Sequence, residues 1–202
     1  MKQVTFFALC VLAMIALPRV TSGQSSLPVS VSLCELLKNP KAFDRKDIQV
    51  RGRVNLEFED FTIYDLKCNN YTDVWLMLGG DVATPIMSMW GDTERTPGRN
   101  ISFSGKEYTL VKDASFHDFI KHVTAREKKR PQYRVTATLA GEFFAENPKQ
   151  DSRLIGHMPG FGHMGCCRLL IIKQVSDVES KRIAADGYNE KWSARREPTA
   201  KP

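Results

Sequence analysis

The sequence predicts a mainly β domain with minor α content: a five-stranded OB-like barrel with a leading helix and a helical insert between strands 3 and 4. Three observations carry that expectation. Five short stretches read as strands, the first with strict two-residue alternation of apolar and polar residues. One amphipathic helical stretch falls between the third and the fourth. The fourth, residues 133–145, is long and carries Gly141, a residue suited to a bulge or bend.

The elements follow in chain order. Residues 1–23 read as a signal peptide: Lys2 is a positive start, residues 4–17 are an unbroken apolar run, and Thr21-Ser22-Gly23 offers small residues at a cleavage point. Residues 24–31 are a flexible leader. Ser32 can cap a short helix from Leu33, with Glu35 completing a capping box and Leu33, Leu36 and Leu37 as its apolar face; Asn39-Pro40 ends it. A polar turn anchored by Phe43 then gives way to the first strand. There Ile48, Val50, Gly52 and Val54 alternate with Gln49, Arg51 and Arg53.

Residues 61–64 and 74–78 make the second and third strands, separated by a loop that contains Cys68. The insert, residues 81–131, holds a hairpin signal at Ser104-Gly105-Lys106 and one helix capped by Asp113. In that helix Phe116, Phe119, Ile120 and Val123 share a face, and its last turn carries Arg126, Lys128, Lys129 and Arg130. Residues 133–145 are the fourth strand. A glycine-rich connection, 156–165, leads to the fifth strand at residues 169–175, and residues 179–202 read as a polar C-terminal tail. The domain proper is thus 32–178.

A single domain of this length buries a core without help from cofactors. No second long apolar run follows the signal, so no transmembrane anchor is expected, and the chain is read as secreted or periplasmic after cleavage near Gly23. Cleavage removes Lys2 and Arg19 and lowers the net charge from +6 to +4, an excess whose usual meaning is solubility.

Four cysteines remain after cleavage, at 34, 68, 166 and 167. An even count in an exported chain favours disulfides. A bond between adjacent Cys166 and Cys167 closes a strained ring, so Cys34–Cys68 is the first choice, with crossed bonds to the other two as alternatives.

The segment from Cys34 to Phe43, the strand from Lys46 to Val54, and Gly160-Phe161-Gly162-His163-Met164-Gly165 before the last strand resemble the corresponding parts of small, secreted, mostly uncharacterised bacterial proteins. The resemblance covers most of residues 32–178. It implies an OB-fold-like barrel, supports pairing Cys34 with Cys68, and implies no known activity.

Two constellations carry chemistry. His157, His163, Cys166 and Cys167 lie within a dozen residues, and imidazole and thiolate suit zinc or copper or a redox role. The spacing lacks a paired C-x-x-C, and a glycine turn with a hydrogen-bonded histidine is the plainer reading, so no cofactor is expected. Arg51 and Arg53 of the first strand with Tyr64 of the second offer a binding face of the OB type. Export removes the protein from most nucleic acid, so nucleic acid is an unlikely partner. No nucleophile elbow, phosphate loop or zincin motif is present, so no catalytic residue is expected. The expected class is an exported non-enzymatic binding or structural module whose partner is unknown; a metal- or redox-linked protein is the alternative.

Overall fold

In the computed structural model the described residues are 27–57, 60–68, 73–81, 100–125, 133–146, 160–162, 165 and 167–183. They form β1 (Val29–Ser30), α1 (Leu33–Lys38), a 3-10 turn (Pro40–Phe43), β2 (Asp47–Glu57), β3 (Asp60–Tyr64), β4 (Val74–Leu78), β5 (Ile101–Phe103), β6 (Lys106–Tyr108), α2 (Ala114–Val123), β7 (Tyr133–Phe144) and β8 (Arg168–Arg182).

β2 closes the barrel because it is long enough to serve two neighbours. Its residues from Asp47 to Val54 pair antiparallel with β7, and those from Arg53 to Glu57 pair antiparallel with β3. The strand order β2-β3-β4-β8-β7 therefore returns to β2, and β1 is an added strand alongside it. β4 and β8 run parallel, which the long connection through the insert makes possible. The architecture is the predicted mainly β one: a closed, mixed, five-stranded barrel with an extra strand and two α-helices.

Alternation decides which side chains fill it. Ile48 and Val50 of β2, Ile63 of β3, Leu76 of β4, Leu139 of β7 and Leu170 of β8 point inward, and all are at most 1% exposed. α1 adds Leu33, Leu36 and Leu37 to this core, and α2 adds Phe116, Phe119 and Val123. Both helices start at the predicted caps: the Ser32 hydroxyl accepts from the Glu35 N–H at 3.2 Å, and an Asp113 carboxylate oxygen accepts from the Phe116 N–H at 2.9 Å.

A second core lies on the outer side of the same sheet. The β5–β6 hairpin lays Ile101, Phe103 and Tyr108 against Phe144, Leu169 and Ile171, with Phe161 beside them. The Phe103 and Phe144 rings meet edge to face, with centroids 4.9 Å apart. The run Leu169-Leu170-Ile171-Ile172 is thus buried on both faces, which is why it is continuously apolar instead of alternating.

Gly141 sits at a register shift between β7 and β8. A Cβ there would lie 2.0 Å from the Ile171 carbonyl oxygen, so only glycine lets the two strands approach. This is the bend that the sequence anticipates.

Three expectations need correction. Residues 29–30, placed in a flexible leader, form β1 and pair in parallel with β2. The insert's helix ends at Val123: Thr124 takes the cap position and its hydroxyl donates to the Ile120 carbonyl, so the helix does not reach Arg126. The hairpin expected at Ser104-Gly105-Lys106 is present and forms a second, two-stranded sheet. Residues 179–182, placed in a polar tail, continue β8 and pair with residues 133–136 of β7. The expected signal peptide, residues 82–99, the basic run 126–132 and the chain beyond residue 183 lie outside the described residues.

Candidate functional site

The Arg51–Arg53–Tyr64 surface is built by register. Gln49, Arg51, Arg53 and Asn55 leave β2 on the side opposite the core. Arg53 faces Tyr64 directly across the β2–β3 ladder, Asn55 faces Thr62, and Thr62 in turn faces Trp75 on β4. On the other flank Arg51 and Arg53 face Thr138 and Thr136 of β7. The outward row therefore crosses four strands and includes a second aromatic, Trp75, that the sequence reading passed over. Its signal was present: in Val74-Trp75-Leu76-Met77-Leu78, the two-residue period turns Trp75 and Met77 away from the core.

The arginines on this surface are not free charges. One Arg51 terminal nitrogen donates to the Asp177 carbonyl at 2.7 Å and to the Thr138 hydroxyl at 3.3 Å, and the other lies 2.6 Å from a Glu179 carboxylate oxygen. Asp177 has a φ of 47°, at a break in the β7–β8 register that aims its carbonyl at Arg51. Arg53 and Tyr64 are partnered as well. The Asp60 carboxylate accepts from the Asn55 amide at 2.7 Å and from the Thr62 hydroxyl at 2.8 Å. The result is a stiff, charge-balanced polar surface with Tyr64 and Trp75 half-buried in it.

One face of Trp75 is covered. Gly162 has a φ of 74°, and a Cβ on it would lie 2.2 Å from the indole Cε3, so the backbone of that turn lies flat on the ring. The turn is closed by reciprocal backbone bonds: Phe161 N–H donates to the Cys167 carbonyl at 2.6 Å and Cys167 N–H to the Phe161 carbonyl at 3.0 Å.

The metal or redox cluster is only partly visible, because His157, His163 and Cys166 lie outside the described residues. Cys167 is 5% exposed and disulfide-bonded, so its sulfur is not a thiolate ready to ligate a metal. Cys34 and Cys68 are bonded to each other, with sulfurs 2.06 Å apart, and the bridge ties α1 to the loop after β3.

A further polar cluster holds the hairpin to the barrel. Glu142 of β7, 6% exposed, pairs with Lys106 of the hairpin and lies 3.9 Å from the Lys173 ammonium, which is 2.5 Å from Asp47. Burial, reinforced by the Glu142 carboxylate, raises the Tyr108 phenol above its usual range. Lys106 and Lys173 sit over the Tyr108 ring at 5.2 and 5.7 Å. An open cleft of about 560 Å³ beside the hairpin is walled by Asp81 and Lys112, which bind each other; that hydrogen bond holds the Asp81 carboxyl below its ordinary range.

No family model, curated protein or solved structure matches this chain. No helix among the described residues is long and apolar enough to cross a membrane.

Proposed function

We propose that this chain is an exported, non-enzymatic binding module that takes its ligand on the outward row from Arg51 and Arg53 through Tyr64 to Trp75. One observation carries the reading: the register sets Arg53 against Tyr64 and, one ladder further on, the buried Thr62 against Trp75, so cations and aromatic rings share one rigid surface. Arg51 is balanced by Glu179 and bound to the Asp177 carbonyl, and Arg53 is partnered as well. That balance suits a polar, uncharged ligand such as a neutral glycan better than a phosphate backbone, which rewards uncompensated cations. The apolar signal-like start and the Cys34–Cys68 bridge support export to the periplasm or beyond the cell. The closed barrel agrees with the fold that a resemblance to small secreted bacterial proteins implies.

Titrating the mature protein with a neutral β-linked oligosaccharide and, separately, a single-stranded oligothymidylate tests this. The glycan is expected to shift the amide resonances of Arg53, Thr62 and Trp75 saturably, and Tyr64→Ala to weaken that response without loss of fold. Shifts confined to other surfaces, or a response to the oligothymidylate alone, count against it.

The alternative is a metal- or redox-linked protein using His157, His163, Cys166 and Cys167. The bonded state of Cys167 favours the redox half of that reading over zinc or copper, which need a reduced thiolate. Metal analysis together with a free-thiol count on mature protein separates the two.

A further inference from the structure

Arg168 opens β8, and its register turns its side chain toward the barrel interior. Its partner on β4 is Val74. Val74, Leu170 and Ile172 belong to the inner core, whereas Leu169 and Ile171 belong to the outer one, so alternation puts Arg168 on the inner side. The side chain therefore sits at the end of the barrel where β4 and β8 begin. Its main chain is fixed there, the N–H donating to the Asp73 carbonyl at 3.3 Å.

Two of the three guanidinium nitrogens are enclosed without an acceptor, on a side chain that is half-buried overall. Both Nε and Nη1 are buried and have no hydrogen-bond partner. The other half-buried cations among the described residues are each partnered: Arg51 by Glu179, Lys173 by Asp47, and Arg53 and Arg134 as well. Burial lowers the Arg168 pKa, and no carboxylate among the described residues offsets it. Arginine stays charged in proteins, so the group cannot escape by losing its proton. Enclosed donors of this kind are costly, and folded proteins meet them with ordered water or a bound group. Water supplies one acceptor and leaves the charge unbalanced. An oxyanion supplies several acceptors and the opposite charge together.

We propose that Arg168 holds an oxyanion, the carboxylate, sulfate or phosphate group of a small ligand, at the end of the barrel where β4 and β8 begin. This site lies on the inner side of the sheet and does not depend on the outward row around Tyr64.

The test uses the full mature chain. Sodium sulfate, sodium phosphate and sodium acetate are titrated at ionic strength matched with chloride, reading the Arg168 Nε–Hε resonance and the melting temperature. A saturable shift of that resonance, with a rise in melting temperature, is expected from at least one of the three. Response to sulfate and phosphate alone identifies a tetrahedral oxyanion, and response to acetate a carboxylate; either supports the site. Arg168→Met should weaken the anion response by about tenfold or more, the loss of one charged contact worth about 1.4 kcal/mol. No saturable shift with any of the three overturns the proposal, as does an undiminished anion response in Arg168→Met. If that variant does not fold, the wild-type resonance titration decides alone.

Discussion

Replacing Cys34 and Cys68 together by alanine removes the staple between α1 and the loop after β3. The two cysteines are 34 residues apart. In the loop-closure model, freeing an unfolded chain from a ring of that size costs about 3.8 kcal/mol at 25 °C. Both sulfurs are half-buried, and Cys68 packs on the inner core, so truncation removes roughly another 1 kcal/mol of apolar contact. Native geometry can absorb part of the loss, because β2 and β3, which lie inside the ring, are already held to each other by the ladder from Arg53 to Glu57. The expected loss is therefore about 3–5 kcal/mol, a fall in melting temperature of roughly 8–15 °C for a domain of this size. Calorimetry and urea unfolding of wild type and double variant, purified without reductant, measure it. Adding reductant to wild type is the poorer comparison, since it also opens the bond at Cys167. A loss below about 1 kcal/mol, or both cysteines recovered as free thiols from exported wild-type protein, refutes the reasoning.

Gly141→Ala places a methyl 2.0 Å from the Ile171 carbonyl oxygen, and should cost about 3 kcal/mol or more, read by urea unfolding. Gly162→Val combines a left-handed φ with collision against the Trp75 ring; a loss of about 2–3 kcal/mol and a displaced Trp75 indole resonance are expected. Tyr108 has a phenol pKa raised by burial first and by Glu142 second, while the unfolded chain ionises near 10. Its contribution to stability is therefore full below about pH 10 and falls as pH rises further, because only the unfolded state then sheds the proton. Melting temperatures between about pH 8 and 12 should show a downward alkaline slope that Tyr108→Phe flattens.

Much of the barrel was legible because its signals are local. The Ser32 and Asp113 caps, the alternation from Ile48 to Val54 and the glycine at 141 each act within a few residues of themselves. What was missed is set by partners far along the chain. β1 is two residues with exposed side chains, and no pattern in Val29-Ser30 announces a strand whose pairing is supplied by Ile48 and Gln49. Ser180 and Lys181 look like tail because they are exposed, yet Val135 and Arg134 opposite them extend β8. Of the outward row, the sequence named Arg51, Arg53 and Tyr64. It could not show that Arg51 is committed to Glu179, more than a hundred residues away, because charge pairing across a barrel leaves no mark on spacing. Arg168 was invisible for the same reason: a lone arginine before an apolar run reads as a strand flank until the register turns it inward.

The insert also decides which part of the outer surface is covered. A five-stranded barrel left bare would expose the outward sides of Phe144, Leu169 and Ile171, an apolar patch that invites association. The hairpin covers that patch with Ile101, Phe103 and Tyr108, and the Lys106–Glu142 pair and the Tyr108 phenol fasten it. That half of the outer surface is therefore consumed by the protein's own second core. The polar half, from Thr136 across Arg51 and Arg53 to Tyr64, is only half-buried. Trp75 lies at the seam, facing Thr62 on one side and packed against the outer core on the other. The sequence that makes β8 apolar on both faces and β2 polar on one thereby assigns one side of the barrel to stability and leaves the other as the surface on which the proposed recognition rests.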